Sequence, residues 1–140
     1  MTSEPLVLPK SWREKLEVIF NVNFIKFLLL NLLAKYNNRI MRENGLYSTD
    51  AFYGVLYTNK MTKEVIKRIL KDARKNGFKS IEISGHPAYI SCKEDKEFTS
   101  QAMAKYSQLI NRAEELKIFS DASFKKLIDK NYERVSFKNI

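Results

Sequence analysis

The stretch Lys79–Tyr89, KSIEISGHPAY, decides how the rest of the chain is read. Its short, isoleucine-bearing run predicts a strand over Lys79–Ser84, and Gly85-His86-Pro87 ends that strand in a turn. Strand ends are where open α/β sheets and barrels place catalytic side chains. His86 is the one histidine in 140 residues. Imidazole exchanges protons near neutrality, so His86 is a candidate general acid or base, and Pro87 fixes the turn that follows it. A lone histidine in a turn also commonly serves structure alone, and these residues leave both readings open.

Upstream of the strand, Thr62 is placed to cap a helix over Thr62–Asn76. Val65, Ile66, Ile69, Leu70 and Ala73 fall at helical spacing on one face, and Lys63, Lys67, Arg68, Lys71, Arg74 and Lys75 occupy the other. Gly77 stops this helix, with Phe78 packing back over its last turn. Leu46–Tyr57 reads as a loop leading into a short strand, Gly54–Tyr57. Nearer the start, Leu6–Pro9 reads as an extended edge segment, and Ser11 with Glu14 forms the pattern of a reciprocal capping box. One long helix is expected to follow, through Tyr36 and as far as Arg42, ending at Asn44-Gly45. Its apolar positions run nearly all round between Phe24 and Leu33, which predicts a buried core helix.

Downstream, Cys92–Thr99 reads as a charged loop. A helix over Ser100–Leu116 turns Met103, Tyr106, Leu109, Ile110 and Ala113 inward. Ser120 is expected to cap a further helix that buries Phe124, Leu127 and Ile128, and Glu133–Phe137 reads as a closing strand. The order is that of an α/β fold, in which sequential strands tend to be parallel. Lys79–Ser84 is expected at its centre, in a single domain over residues 1–140 without repeat or linker.

The bulk composition narrows the function classes. With 44% hydrophobic and 12% aromatic residues, the chain is long and apolar enough for a real core. Cys92 is its only cysteine, so no intrachain disulfide forms, and a reducing cytoplasm is the expected setting. Met1–Pro5 does not read as a secretory signal. The window from Val18 to Leu33 is short for a membrane span and carries Asn21, Asn23, Lys26 and Asn31; a lysine at mid-bilayer costs about 2.5–3.5 kcal/mol. The net charge of +9 suits nucleic acid or an acidic partner. The excess is mostly lysine, however, and no Arg-Gly repeat, zinc-finger spacing or stacking motif accompanies it, so specific nucleic-acid binding is not expected. One histidine and one cysteine do not make a metal site within this chain. No phosphate-binding glycine loop and no Gly-x-Ser-x-Gly elbow is present.

Glu82-Ile83-Ser84-Gly85-His86-Pro87-Ala88-Tyr89 resembles the "Glu-Ile-x-x-His-Pro-Gly-Tyr" signature of the YdjC-like carbohydrate deacetylases, a group that includes the chitooligosaccharide deacetylases and the deacetylases associated with hopanoid biosynthesis. Asp50-Ala51-Phe52-Tyr53-Gly54 is similar to the family's loop before its penultimate helix. Arg112-Ala113-Glu114-Glu115-Leu116 resembles its "Arg-x-x-Glu-Leu". Ser120–Ile128 with Arg134-Val135-Ser136-Phe137 looks like its last helix and final strand. The resemblance covers residues 5 to 140, with Ala88 standing where glycine is usual and Val7 where an arginine often precedes the Leu-Pro pair.

This resemblance implies the C-terminal half of a deacetylase fold, a partial (β/α)-barrel-like layer. It also implies a divalent metal held by an aspartate and two histidines that lie N-terminal to everything in this sequence. His86 alone carries over, as general acid to the leaving amine. The chain is therefore expected to be a truncated or split deacetylase, inactive alone and completed by a separate N-terminal half or associating with itself. The competing expectations are a basic, non-catalytic module that binds nucleic acid or an acidic partner, and a membrane-surface protein using the helix around Phe24–Leu33.

Overall fold

In the computed structural model, which describes residues 2–89 and 110–136, the elements run α1 (Trp12–Ile19), α2 (Val22–Glu43), β1 (Ala51–Tyr53), α3 (Lys63–Lys75), β2 (Ile81–Ile83), α4 (Ile110–Ser120) and α5 (Ala122–Asp129). β1 and β2 pair in parallel, with Ala51 opposite Ile81, Phe52 opposite Glu82 and Tyr53 opposite Ile83. α3 connects them, so the centre of the molecule is one strand–helix–strand unit of a mixed α/β fold. A two-stranded sheet has no central strand. The barrel-like layer stays what the resemblance implies.

α3 forms as its sequence dictates. The Thr62 hydroxyl accepts from Val65 N at 3.2 Å, and Val65, Ile66, Ile69 and Ala73 are all buried. Gly77 takes a left-handed φ of 69°, and Phe78 N donates to Ala73 O at 3.1 Å, closing the last turn. Around α3 the core gathers Val7, Phe27, Ala51, Tyr53, Leu56, Tyr57, Met61 and Phe124. A buried isoleucine stabilises by about 1.5–3 kcal/mol relative to an exposed one, so α3 anchors the unit. Tyr53 strengthens it, since its hydroxyl donates to Asp72 Oδ2 at 3.0 Å.

The N-terminal part departs from expectation in three ways. The predicted single helix is two, bent by 67°. Asn21 sits in extended backbone and its side chain accepts from Asn23 N at 2.9 Å, so it starts a new helix instead of continuing the old one. The capping box does not form: Ser11 makes no side-chain cap bond, and the Glu14 carboxylate turns towards Arg68, 3.9 Å away. α2 is not a buried core helix either. Only Phe27 and Ala34 are buried in it, with Phe24 partly buried beside Phe27, while Val22, Ile25, Leu28, Leu29, Leu32, Leu33, Tyr36 and Ile40 are exposed.

The segment before α1 docks on the unit, although no strand forms over Leu6–Pro9. Phe52 N donates to Ser3 O at 3.2 Å, and the Tyr57 hydroxyl donates to Val7 O at 2.7 Å. The Asn31 side chain on α2 pairs with both backbone groups of Glu4, at 2.8 and 3.0 Å.

Three further expectations are corrected. The strand foreseen at Gly54–Tyr57 lies earlier, at Ala51–Tyr53, because the Glu4 carboxylate takes the amides of Gly54 and Leu56 that a strand would give to a neighbour. Ser120 is the last residue of α4, and the cap of α5 is Asp121, which accepts from Ser123 N and Phe124 N. α5 buries Phe124 but leaves Leu127 44% exposed. No strand forms over residues 133–136. There Arg134 pairs with Asp129 at 2.7 Å, and Tyr132 donates its hydroxyl to Leu70 O. The loop at Cys92–Thr99 and the helix positions Met103, Tyr106 and Leu109 lie outside the described residues.

Candidate functional site

Because β1 and β2 are parallel, the segments that follow them leave the sheet on the same side. Ser84 N donates to Tyr53 O at 2.8 Å, which brings Gly54 and Ser84 together. A Cβ on Gly54 would lie 2.8 Å from Ser84 Cβ and 2.9 Å from its carbonyl oxygen, so the two strand ends meet only with glycine at 54. The next glycine, Gly85, lies under the Phe119 ring of α4, where an added Cβ would come within 2.5 Å. His86 follows, half-buried, at the C-terminal end of β2.

A buried carboxylate fastens this turn. Glu115 of α4 is 2% exposed; its Oε2 accepts from His86 N at 2.6 Å and its Oε1 accepts from Met61 N at 3.3 Å. One side chain thereby joins the segment after β2 to the segment after β1. Ala88 N donates to Arg112 O at 3.3 Å, so the turn is held to α4 at a second point. The main chain of residue 86 is thereby fixed.

Glu4 does the corresponding work after β1. It is 8% exposed, and its carboxylate accepts from Gly54 N at 2.8 Å and Leu56 N at 3.2 Å. Burial raises its pKa, and the amides of Gly54, Leu56 and Val55 oppose the rise. Burial also raises the Tyr53 phenol, with Asp72 adding to the effect.

Beside these clamps lies a cleft of about 650 Å³, with Tyr57, Met61 and Val65 on its wall and Glu14, Lys60 and Arg68 among its polar residues. Two buried polar atoms of its lining, Asn59 Oδ1 and Arg68 Nε, have no hydrogen-bond partner among the described residues. Asn59 holds a left-handed φ of 62°, a conformation that asparagine tolerates better than most residues. Met61 stands both in the wall of the cleft and at the Glu115 clamp, while no described residue of the histidine turn lines the cleft.

A family model described as YdjC-like protein matches residues 4–130. The chain belongs to the YdjC-like family. The match takes in Glu4, His86 and Glu115 together, and the family is one of metal-dependent carbohydrate deacetylases. No individual curated protein matches the chain well enough to narrow that description.

The described residues of this YdjC-like chain do not fit the family's metal. Among them no three His, Cys, Asp or Glu side chains converge, and both oxygens of Glu115 are engaged by backbone amides. Of the aspartate and two histidines that the resemblance implies as ligands, this sequence can offer one histidine at most.

His86 was legible in the sequence; the two glutamates that build its surroundings were not. Glu115 stood within the Arg-x-x-Glu-Leu resemblance, and its position i+3 from Arg112 was the available signal, since the two share a helix face and both are buried. Nothing in the local sequence marked Glu4.

Proposed function

We propose that this chain supplies the proton-delivering side of an N-acetyl-sugar deacetylase site, with the metal-holding residues supplied by a separate polypeptide segment. In amide hydrolysis, water adds to the acetyl carbonyl, the C–N bond breaks, and the leaving nitrogen must gain a proton to depart as an amine. His86 gives that proton, and acetate leaves as the other product. The observation that carries this reading is the Glu115 clamp. It uses a buried side chain to fix the main chain at residue 86, which holds the imidazole at a strand end. The unpartnered Asn59 Oδ1 and Arg68 Nε add one acceptor and one donor to a neighbouring cleft, a combination that suits hydroxyl-rich substrates.

The basic face of α3 lends less support to a polyanion-binding module. Lys63 pairs with Asp121, Lys67 with Glu64 and Arg68 with Glu14, while Arg74 lies over the Tyr132 ring.

The test is acetate release from N-acetylated chitooligosaccharides, with and without a complementing segment that carries an aspartate and two histidines. In the complemented system His86→Ala lowers turnover by roughly 10²–10⁴-fold and leaves bound metal unchanged. Strong deacetylation by the 140-residue chain alone would refute the division of labour, and metal loss on His86→Ala would refute the acid role.

A further inference from the structure

α2 is apolar on two opposite faces, and only one of them is occupied. Phe27 and Ala34, seven residues apart, are 5% and 1% exposed and face the protein's own core. On the far side Val22, Ile25, Leu29, Leu32 and Tyr36 follow one another at intervals of three, four, three and four residues. They are 61%, 60%, 56%, 65% and 69% exposed. That spacing is the a/d seam of paired helices, in which each side chain enters a gap on a facing helix. Leu28 and Leu33 flank the seam, also about half exposed.

We infer that this seam pairs α2 with α2 of a second copy of the chain, in antiparallel orientation. The inference does not depend on the chemistry proposed above. Area supports the occupant: at roughly 100 Å² of exposed surface apiece, the seven residues offer on the order of 700 Å² per copy, near the ~800 Å² per partner of a standard interface. Charge fixes the orientation. Lys35, Arg39 and Arg42 lie in the C-terminal half of α2, where Glu43 pairs with Arg39 at 2.9 Å and leaves two cations in excess, whereas Lys26 is the lone cation of its first half. A parallel pair would set the two basic clusters side by side, and an antiparallel pair puts them at opposite ends. The 67° break before Val22 and the cations within α2 disfavour a bilayer as the occupant.

Sedimentation equilibrium of the 140-residue chain at tens of micromolar is the primary measurement, with a dimer expected. Leu29→Glu/Leu32→Glu weakens that dimer by roughly 100-fold or more, while circular dichroism shows helix content retained, since both sites are on the surface. Orientation is read by mixing chains carrying Ile25→Cys with chains carrying Tyr36→Cys, each with Cys92→Ser. The antiparallel seam forms the mixed disulfide in preference to either self-pair. A monomer at this concentration, a dimer indifferent to the glutamates, or dominant self-pairs would overturn the inference. So would a monomer that binds phosphatidylcholine–phosphatidylserine vesicles through the same leucines, which would assign the face to a membrane.

Discussion

At the N-terminal ends of β1 and β2, the Asp50 carboxylate accepts from the amides of Lys79 at 2.7 Å and Ser80 at 2.9 Å, out in solvent. At their C-terminal ends, Glu4 and Glu115 accept from backbone amides in the same way, but inside the protein. The chemistry is shared, and the surroundings reverse its electrostatics. The Ser80 amide leads in holding the Asp50 pKa below its ordinary value, whereas burial lifts that of Glu4 above its own. An exposed clasp stabilises the sheet at little desolvation cost. A buried carboxylate is an expensive way to hold a loop, and both buried clasps stand at the end of the sheet where we propose that His86 acts.

The severest test of that contrast is Glu115→Ala, which leaves the amides of Met61 and His86 without acceptors. Chemical denaturation should report a loss of about 3 kcal/mol, and Glu115→Gln, keeping one acceptor oxygen, a smaller one of roughly 1–2 kcal/mol. An unchanged midpoint for Glu115→Ala would erase the distinction between the two ends. Next comes Gly54→Ala, where the new Cβ meets Ser84 backbone as well as side chain. A cost of about 2–3 kcal/mol is expected, because neither strand end can yield without breaking the Ser84–Tyr53 bond.

Smaller effects separate the clasps by sign. In the folded state Glu4 binds its proton at a higher pH than its ordinary value of 4.5. Its contribution therefore makes the fold less stable as pH rises from about 4.5 through the raised value, and Glu4→Gln should flatten that part of a urea-denaturation pH series. Asp50 does the opposite. Its lowered pKa gives stability that is present above the ordinary 3.8 and lost as pH falls through the lowered value, a slope that Asp50→Asn removes. Slopes of the same sign for both groups would show that burial does not govern the difference.

The unit from Ala51 to Ile83 was legible because its signals are local. The Thr62 cap, the apolar face from Val65 to Ala73, the Gly77 stop and the isoleucines of β2 each act within a few residues. Legibility failed where a distant side chain outvoted a local preference. Glu4 claimed the amides of Gly54 and Leu56 and shifted β1 earlier, and Glu14 turned towards Arg68 instead of closing a capping box. The break at Asn21 was missed for a local reason, since an asparagine two residues before Asn23 can cap a new helix as well as continue an old one. The outer face of α2 shows a further limit. Apolar residues all round a helix register that something covers it, but not whether the cover is the chain's own core.

The reach of the two buried clamps also sets an order of assembly. Glu4 closes loops of 50 and 52 residues onto Gly54 and Leu56, and Glu115 closes one of 54 residues onto Met61. Closing such spans loses chain entropy before any contact repays it, whereas α3 is built from local contacts and its flanking strands pair across only 30 residues. The unit is expected to gain hydrogen-exchange protection first, and the histidine turn last, once both ends of the polypeptide have docked. A nascent chain still lacking α4, or one that begins after Glu4, would then hold a folded centre with a strand end unfastened.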